Sequence, residues 1–524
     1  MVDHIKIELG TALSDITITE TNYPERGYHL SLEVPAGDIL KTARFFDDHG
    51  FYLATIACVD YLEFLELVYI FGHFSSLFRV KTAVKLDPVK PVAPTISGIF
   101  DCAHWYEREI REFFGVVFDG HPNLTYLFLH EGIDHYPLRR EKVLVTAEDK
   151  SWLGSYHPES GDDTFFVNLG PQHPSTHGVL RVVLKLDGEY IRSAELVLGY
   201  LHRMQEKMAE NRSYVQFLPN TGRMDYMGAM AFNLGYVTAV ERLSGIVAPE
   251  RAQYVRVIAT ELARISSHLL WLGAFLNDLG AATPFLFAFD DREQILDILE
   301  GITGSRLTYC YFRFGGLFND IDEKFIAGTK AFIERMRSRF DLYEKLVTGN
   351  VIFLNRTRGI GVIAKERARK YGVSGPVLRG AGIDMDLRKM EPCAAYGAMN
   401  FEIPIGEQGD SLDMYHVRLK EMQTSLDIVE QALAALPEGR VMAEKVPKKL
   451  KPPKGDLYHT VETPRGELGI YIVSDESDKP YRMKWRVPSF ANVIIFPELA
   501  QGNMIADAIA ILGMLDLVIP EIDR

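Results

Sequence analysis

Cysteine is scarce: 524 residues hold only Cys58, Cys102, Cys310 and Cys393, and no two stand close enough to form a short-spaced ligand pair. A metal centre carried by this chain is therefore not expected. The scattered thiols fit a reducing cytoplasm, and Cys310 and Cys393 read as buried small hydrophobes. An excess of positive charge is missing too: 57 Lys and Arg stand against 71 Asp and Glu, a formal net charge of −14. Nucleic acid, which needs a basic face, is excluded as a main partner. The one dense basic stretch, Lys445, Lys448, Lys449, Lys451 and Lys454 among Pro447, Pro452 and Pro453, reads as a solvated loop. No opening segment joins a basic stretch to an apolar run and a small-residue cleavage site, so export is not expected. Long apolar runs are absent as well. The windows Leu269 to Phe289 and Ile505 to Ile519 are broken by Asp278 and by Asp507 and Asp516, short of the roughly 18 uncharged residues of a membrane span.

What is present is the composition of a globular protein, 47% hydrophobic and 24% charged, long enough for about three domains at roughly 150 residues each. Residues 1–145 mix strand-like runs, Phe51 to Ile56 and Leu65 to Ile70, with a helical stretch from His104 to Phe114, a small α/β domain. Residues 146–163, with Gly154, Pro158, Ser160 and Gly161, have the composition of a linker. Beyond them, Asp187-Gly188 between the runs Val179 to Leu186 and Glu189 to Leu196 predicts a β-hairpin. Two helical stripes follow. One starts at Pro249, in a first helical turn, and runs Val255, Ile258, Leu262, Ile265, Leu269, Leu272; the other is Leu419, Met422, Leu426, Val429, Leu433, Leu436. Together they predict an α+β chain whose residues 164–524 form a mainly helical, bundle-cored domain with a hairpin near its start.

The segment Gly170-Pro171-Gln172-His173-Pro174-Ser175-Thr176-His177-Gly178 is dense in residues that fix a loop and present polar groups. It resembles a signature of the quinone-site D subunit of respiratory complex I. The likeness continues through Gly199 to Arg203, Arg223-Met224-Asp225-Tyr226, Pro249 to Gln253, Leu378-Arg379-Gly380, Asp386 to Lys389, Arg418 with Glu421, Pro464-Arg465-Gly466-Glu467 and Asp523-Arg524. The first part is similar to the companion C subunit through Trp105 to Glu109, Gly120-His121-Pro122 and Pro137 to Arg140. The chain looks like a fused C/D subunit of a complex I-type quinone oxidoreductase, with no activity of its own in isolation.

The resemblance carries further expectations. The D subunit is similar to the large subunits of nickel-iron hydrogenases, whose soft metals need two Cys-x-x-Cys pairs. Here those positions read Asp225 and Gly228, and Val518 and Glu521, without a thiol. A quinone headgroup is implied in place of the metal, with Tyr226 and His177 as its two donors and Asp278 as the carboxylate orienting His177. His173 is assigned to holding the loop. Arg203 and Arg223 resemble arginines near the terminal iron–sulfur cluster of the adjacent B subunit. The I subunit and the H and A subunits of the membrane arm are the other implied partners, at the cytoplasmic face of the bacterial inner membrane. Two positions depart from the family. An Arg-Met-His run reads Arg306-Leu307-Thr308, and Arg-Pro-Gly-Gly reads Arg313-Phe314-Gly315-Gly316. Threonine cannot titrate near neutrality, which implies a cluster potential with little pH dependence and a low-potential quinone such as menaquinone. A non-catalytic scaffold between the two arms, or a hydrogenase-type subunit, are the competing readings; His177 with Tyr226 argues against the first and the missing thiols against the second.

Overall fold

The computed structural model describes residues 2–13, 16–130, 132–145, 164–173, 176 and 178–524. The expected linker at 146–163 therefore lies outside the described residues, and so does His177.

The first part is built on a five-stranded sheet with the order Thr17–Glu20, Leu30–Glu33, Ser76–Leu86, Leu65–His73, Phe51–Asp60. Leu30–Glu33 and Ser76–Leu86 run parallel, and the remaining pairs are antiparallel. The two predicted strands are present and longer than their apolar runs, because Cys58, Val59 and Phe71 continue the buried surface. The helix Ala103–Phe114 packs on Phe51–Asp60 and ends at Gly115, whose φ of 81° provides the left-handed cap.

The predicted hairpin is observed as Arg181–Asp187 and Tyr190–Val197, with Phe165–Leu169 added as a third strand. The first stripe is the helix Glu250–Asp278, the second Ser411–Ala434. Pro249 stands at the N-cap, just outside the helix, and Leu436 lies beyond the end of the second. With Ala282–Thr303 and Glu323–Tyr343 they close a ring of contacts, a four-helix bundle. The stripe residues Val255, Ile258, Leu262, Ile265, Leu269 and Leu272 are fully buried, but so are Arg256, Glu261, Arg264 and His268 on the other sides of the same helix. Its polar face looks onto an internal network of charges: Arg388 meets Glu261 at 2.9 Å and Asp386 at 2.6 Å, and Glu421 accepts from His268 at 2.9 Å and from Arg379 Nε at 2.8 Å.

A three-stranded antiparallel sheet, Gly455–Thr463, Gly466–Ser474 and Arg482–Arg486, has no counterpart in the sequence reading. Its strands are covered on both faces, so they show no alternation of polar and apolar residues. This sheet joins the two parts. Asp456 accepts from Lys81 Nζ at 2.7 Å and from the hydroxyls of Tyr28 and Tyr471 at 3.0 Å. Tyr52 donates to Glu467 at 3.0 Å, and Arg79 meets Glu391 at 2.6 Å. Glu109, from the motif of the first part, is 2% exposed and binds Lys484 and, at 3.0 Å, Arg524. The apolar core runs on across this seam without interruption.

The lysines of the basic stretch, Lys445, Lys448, Lys449, Lys451 and Lys454, are exposed, as expected of a solvated loop, while Leu450 and Pro452 between them are buried. Cys58 and Cys102 are fully buried, whereas Cys310 and Cys393 are only half-buried, which corrects their reading as core residues. Cys310 lies just before the strand Phe312–Arg313, and the Arg313 guanidinium lies 3.5 Å from its sulfur. Among the described residues no helix is long and apolar enough to cross a membrane.

Replacing Glu109 by Ala leaves the Lys484 and Arg524 cations buried with Glu206 as their remaining carboxylate. The expected cost is about 3–5 kcal/mol of folding stability, read by urea unfolding of the purified chain; a change below about 1 kcal/mol, the range of an exposed pair, would show that the seam does not depend on this acid.

Candidate functional site

A capping box between Ser213 and Gln216 starts the helix Tyr214–Met224. The chain breaks at Asp225 and re-enters a helix at Ala229. The Asp225 carboxylate spans the break, accepting from Met227 N at 3.0 Å and Gly228 N at 2.8 Å through Oδ1, while Oδ2 meets Arg465 Nη1 at 2.8 Å. Gly228 is required by that approach, since a Cβ there would stand 2.4 Å from Asp225 Oδ2 and 3.1 Å from Pro464.

Arg465 comes from the two-residue turn, Pro464-Arg465, that links Thr463 to Gly466 in the central sheet. Its side chain is 1% exposed and also donates to Ser267 Oγ at 3.1 Å. The turn can sink so deep because Gly375, at φ +66°, lies against it; a Cβ there would fall 2.4 Å from Arg465 O.

The end of the chain closes the other side. Asp516 Oδ2 lies 3.8 Å from Arg465 Nε. Val518 N donates to Ser489 Oγ at 3.2 Å, and Glu521, on the helix Ile519–Asp523, accepts from Ser489 N at 2.7 Å and Ser489 Oγ at 2.8 Å. Asp225, Gly228, Val518 and Glu521 thus lie around one ion cluster: Asp225 meets Arg465 and Gly228 abuts Asp225, while Glu521 and Val518 share Ser489, with Glu521 in the field of Asp225. Burial, then the charge of Asp225, push the Glu521 carboxyl up to about 8. Among the described residues no group of three or more His, Cys, Asp or Glu side chains is arranged to hold a metal ion.

Tyr226 follows directly and is half-buried; burial raises its hydroxyl above the ordinary tyrosine value, with Arg465 opposing. Gly178, which ends the Gly170 to Gly178 loop, packs against Ile519, where a Cβ would stand 2.6 Å from Ile519 Cγ1. His173 bridges to Gly178 across the loop, and its carbonyl takes Thr176 N at 3.2 Å. Asp278 is the half-buried last residue of its helix, its Oδ2 near Gly513. Arg203 and Arg223 stand together on the surface. Arg203 Nη2 donates to Arg223 O at 2.9 Å, Arg223 Nη1 to Pro219 O at 2.5 Å, and among the described residues neither has a carboxylate within ion-pair reach. Asp523 anchors that region by accepting from Gly199 N at 3.0 Å and Leu201 N at 2.7 Å. The backbone of Thr308 and Tyr309 lies on Gly222, one residue before Arg223, and Thr308 has φ +52°, unusual for a β-branched residue.

Arg465 was visible in the sequence only as part of a matching motif, and so were Arg379, Arg388, Arg418 and Glu421. No role followed from the motifs, since each partner lies far away in the chain.

Residues 32–148 match the family described as respiratory-chain NADH dehydrogenase, 30 Kd subunit, and residues 278–452 and 444–524 match its 49 Kd subunit. The NADH-quinone oxidoreductase D subunit of Desulfotalea psychrophila is 58% identical over 69% of this chain and 98% of that protein. Its counterpart in Syntrophobacter fumaroxidans is 57% identical over 69% of this chain and 97% of that protein. The second NADH-quinone oxidoreductase C/D subunit of Aquifex aeolicus is 39% identical over 96% of this chain and 97% of that protein. The order of elements and the two matched regions define a two-part subunit of an oxidoreductase complex, 30 Kd-like at the front and 49 Kd-like behind. The chain belongs to the fused C/D subunits of NADH-quinone oxidoreductase, complex I.

Replacing Arg465 by Met would leave Asp225, Asp516 and Glu521 without their shared cation. A loss of about 3–5 kcal/mol in stability is expected at neutral pH. The loss shrinks as pH falls, because the Asp225 carboxyl, already raised by burial and no longer opposed by the cation, takes a proton and ceases to be a buried charge. Unfolding the Arg465→Met chain at several pH values tests this, and a pH-independent loss would contradict it.

Proposed function

We propose that this chain, with the B subunit that carries the terminal iron–sulfur cluster, forms the site at which complex I reduces a quinone headgroup. The observation that carries the reading is Tyr226, half-buried beside Arg465 at the corner where a hydrogenase large subunit would hold its metals. Burial keeps its phenol protonated, which suits a donor to an oxygen that becomes basic as electrons arrive. His177 is the second donor and Asp278 the carboxylate that orients it. The end of the loop at Gly178 packs on the helix that carries Glu521. Withdrawing a proton from His177 would leave Asp278 uncompensated, a charge shift suited to driving proton pumping in the membrane arm.

Arg203 and Arg223 face the cluster in this reading. Guanidiniums that spend their hydrogen bonds on backbone carbonyls keep their full charge for an electron arriving nearby, and raise the potential of the group that receives it. The chain then sits in the peripheral arm at the cytoplasmic face of the inner membrane, against the B and I subunits and the H and A subunits of the membrane arm. Residues 1–145 are the C-like domain, and 164–524 the hydrogenase-large-subunit-like domain, joined through 146–163. Menaquinone is the quinone that a low-potential cluster would serve.

Tyr226→Phe in the assembled complex removes one hydroxyl. Quinone reduction should slow about 100-fold or more, while electron flow to an acceptor upstream of the quinone stays unchanged; a normal quinone rate would refute the site, and His177→Ala should behave alike. Because Thr308 stands where the family's histidine titrates, the midpoint potential of the terminal cluster should stay level between pH 6 and 8, roughly the range in which histidine changes charge. A slope near one proton per electron would contradict that.

A further inference from the structure

The run from Lys445 to Lys454 carries five lysines and no acid, on a chain whose formal net charge is −14. The flanking acids are already taken: Glu444 pairs with Arg440, and Asp456 answers Lys81 and the hydroxyls of Tyr28 and Tyr471. Among the described residues none of the five ammonium groups has a carboxylate within ion-pair reach, and Asp475 and Glu476, which follow the Ser474 that holds Pro452, pair with none of them. Like charges gathered without an acid repel one another and oppose the compact state.

A loop that only had to meet water would need no fixed shape. This one is pinned along its length: Ala443 N donates to Gly315 O at 2.8 Å, a Cβ on Gly315 would stand 2.5 Å from Val446 Cγ2, Leu450 is 3% exposed, and Pro452 O accepts from Ser474 Oγ at 2.9 Å. The backbone is held from within, and the lysines are displayed outward. Two exposed apolar side chains stand beside them. Val247, 80% exposed, follows Ile246, which shares Gly315 with Val446; Phe318, 59% exposed, follows Leu317, whose N–H donates to Val441 O at 3.0 Å. Apolar anchors bordered by charges of one sign have the make-up of a protein interface, in which the charges select the partner. The loop leaves the end of the helix Ser411–Ala434, and Arg251, in the first turn of Glu250–Asp278, donates to Pro437 O at 2.9 Å. Asp278 stands at the other end of that 29-residue helix, about 40 Å away at about 1.5 Å per residue.

We infer that the stretch from Lys445 to Lys454, with Val247 and Phe318 beside it, docks an acidic face of another subunit of the complex, on the side of this chain turned away from the membrane. The choice of a protein over anionic lipid rests on the reading of the Asp278 end as the quinone corner, because the membrane that supplies quinone lies on that side. Carboxylates of the partner neutralise the ammonium groups, and salt weakens the contact.

The test compares acetylation of the five lysines by an N-hydroxysuccinimide ester in the assembled complex in detergent and in the isolated chain, read by mass spectrometry. They should react at least tenfold more slowly in the complex, and a carbodiimide, which joins amines to carboxylates without a spacer, should link at least one of them to an Asp or Glu of another subunit. Equal rates overturn the inference, and so does slow reaction without such a link. Protection that appears only once the complex is placed in vesicles of anionic phospholipid assigns the stretch to lipid and overturns it too. Lys448→Glu, Lys449→Glu and Lys451→Glu combined in one chain give a second measurement. All three side chains are exposed, so this chain should unfold at the urea concentration of the wild type, yet the linked subunit should leave the complex at a salt concentration at least threefold lower. Unchanged salt resistance overturns the inference, and if the variant does not assemble the wild-type labelling decides. A normal quinone rate in Tyr226→Phe would remove the quinone corner without touching the carbodiimide result, so the two readings fail separately.

Discussion

The Arg465 guanidinium, buried in the turn of a hairpin with Asp225 at 2.8 Å, is the constraint around which the larger part is arranged. A single buried cation demands anions close by, since its desolvation is offset only by short contacts of good geometry. The break between two helices at Asp225 supplies one such contact, and the turn before the final helix supplies Asp516. Gly228 and Gly375 follow from the same demand: where an arginine turn is driven between backbone segments, no side chain fits beside it. Tyr226 acquires its place because it follows the residue that answers the cation.

A second set of buried charges joins the two parts of the chain. Glu109 meets Lys484 and Arg524, Asp456 meets Lys81, and Arg79 meets Glu391, with the partners in each case drawn from opposite sides of the seam. Two of these four contacts, through Lys484 and Asp456, are made by the central sheet, the same sheet whose turn carries Arg465. The first part is thereby coupled mechanically to the site, since its strands pack on the scaffold that positions the guanidinium. Arg524 extends the connection, because its neighbour Asp523 fixes the backbone that presents Arg203.

Periodicity revealed the elements whose apolar residues recur at the spacing of a helix or gather in a short strand-like run. The strands Phe51–Asp60 and Leu65–His73, the hairpin after Phe165–Leu169, and the helices Glu250–Asp278 and Ser411–Ala434 were legible in this way. The central sheet was not, for its strands are buried on both faces and mix Tyr458, His459, Glu462, Lys484 and Arg486 among apolar residues. The polar side of Glu250–Asp278 was not legible for a related reason: Arg256, Glu261, Arg264 and His268 are residue types that normally face solvent, and they are enclosed here. At the site, Tyr226 and the matched positions Asp225, Gly228, Val518 and Glu521 were identified by motif. Their convergence on Arg465 was not, as 240 residues separate Asp225 from that partner.

By itself the sequence determined the family, through motifs spread along both parts. It also determined where helices and strands begin, wherever a cap, a glycine or an apolar stripe marks them. Only the tertiary structure decided which charges answer one another, and that Glu521 is left with a serine instead of a cation. The physical reason is that the worth of a charge depends on distance and burial, and neither is written in the residues next to it.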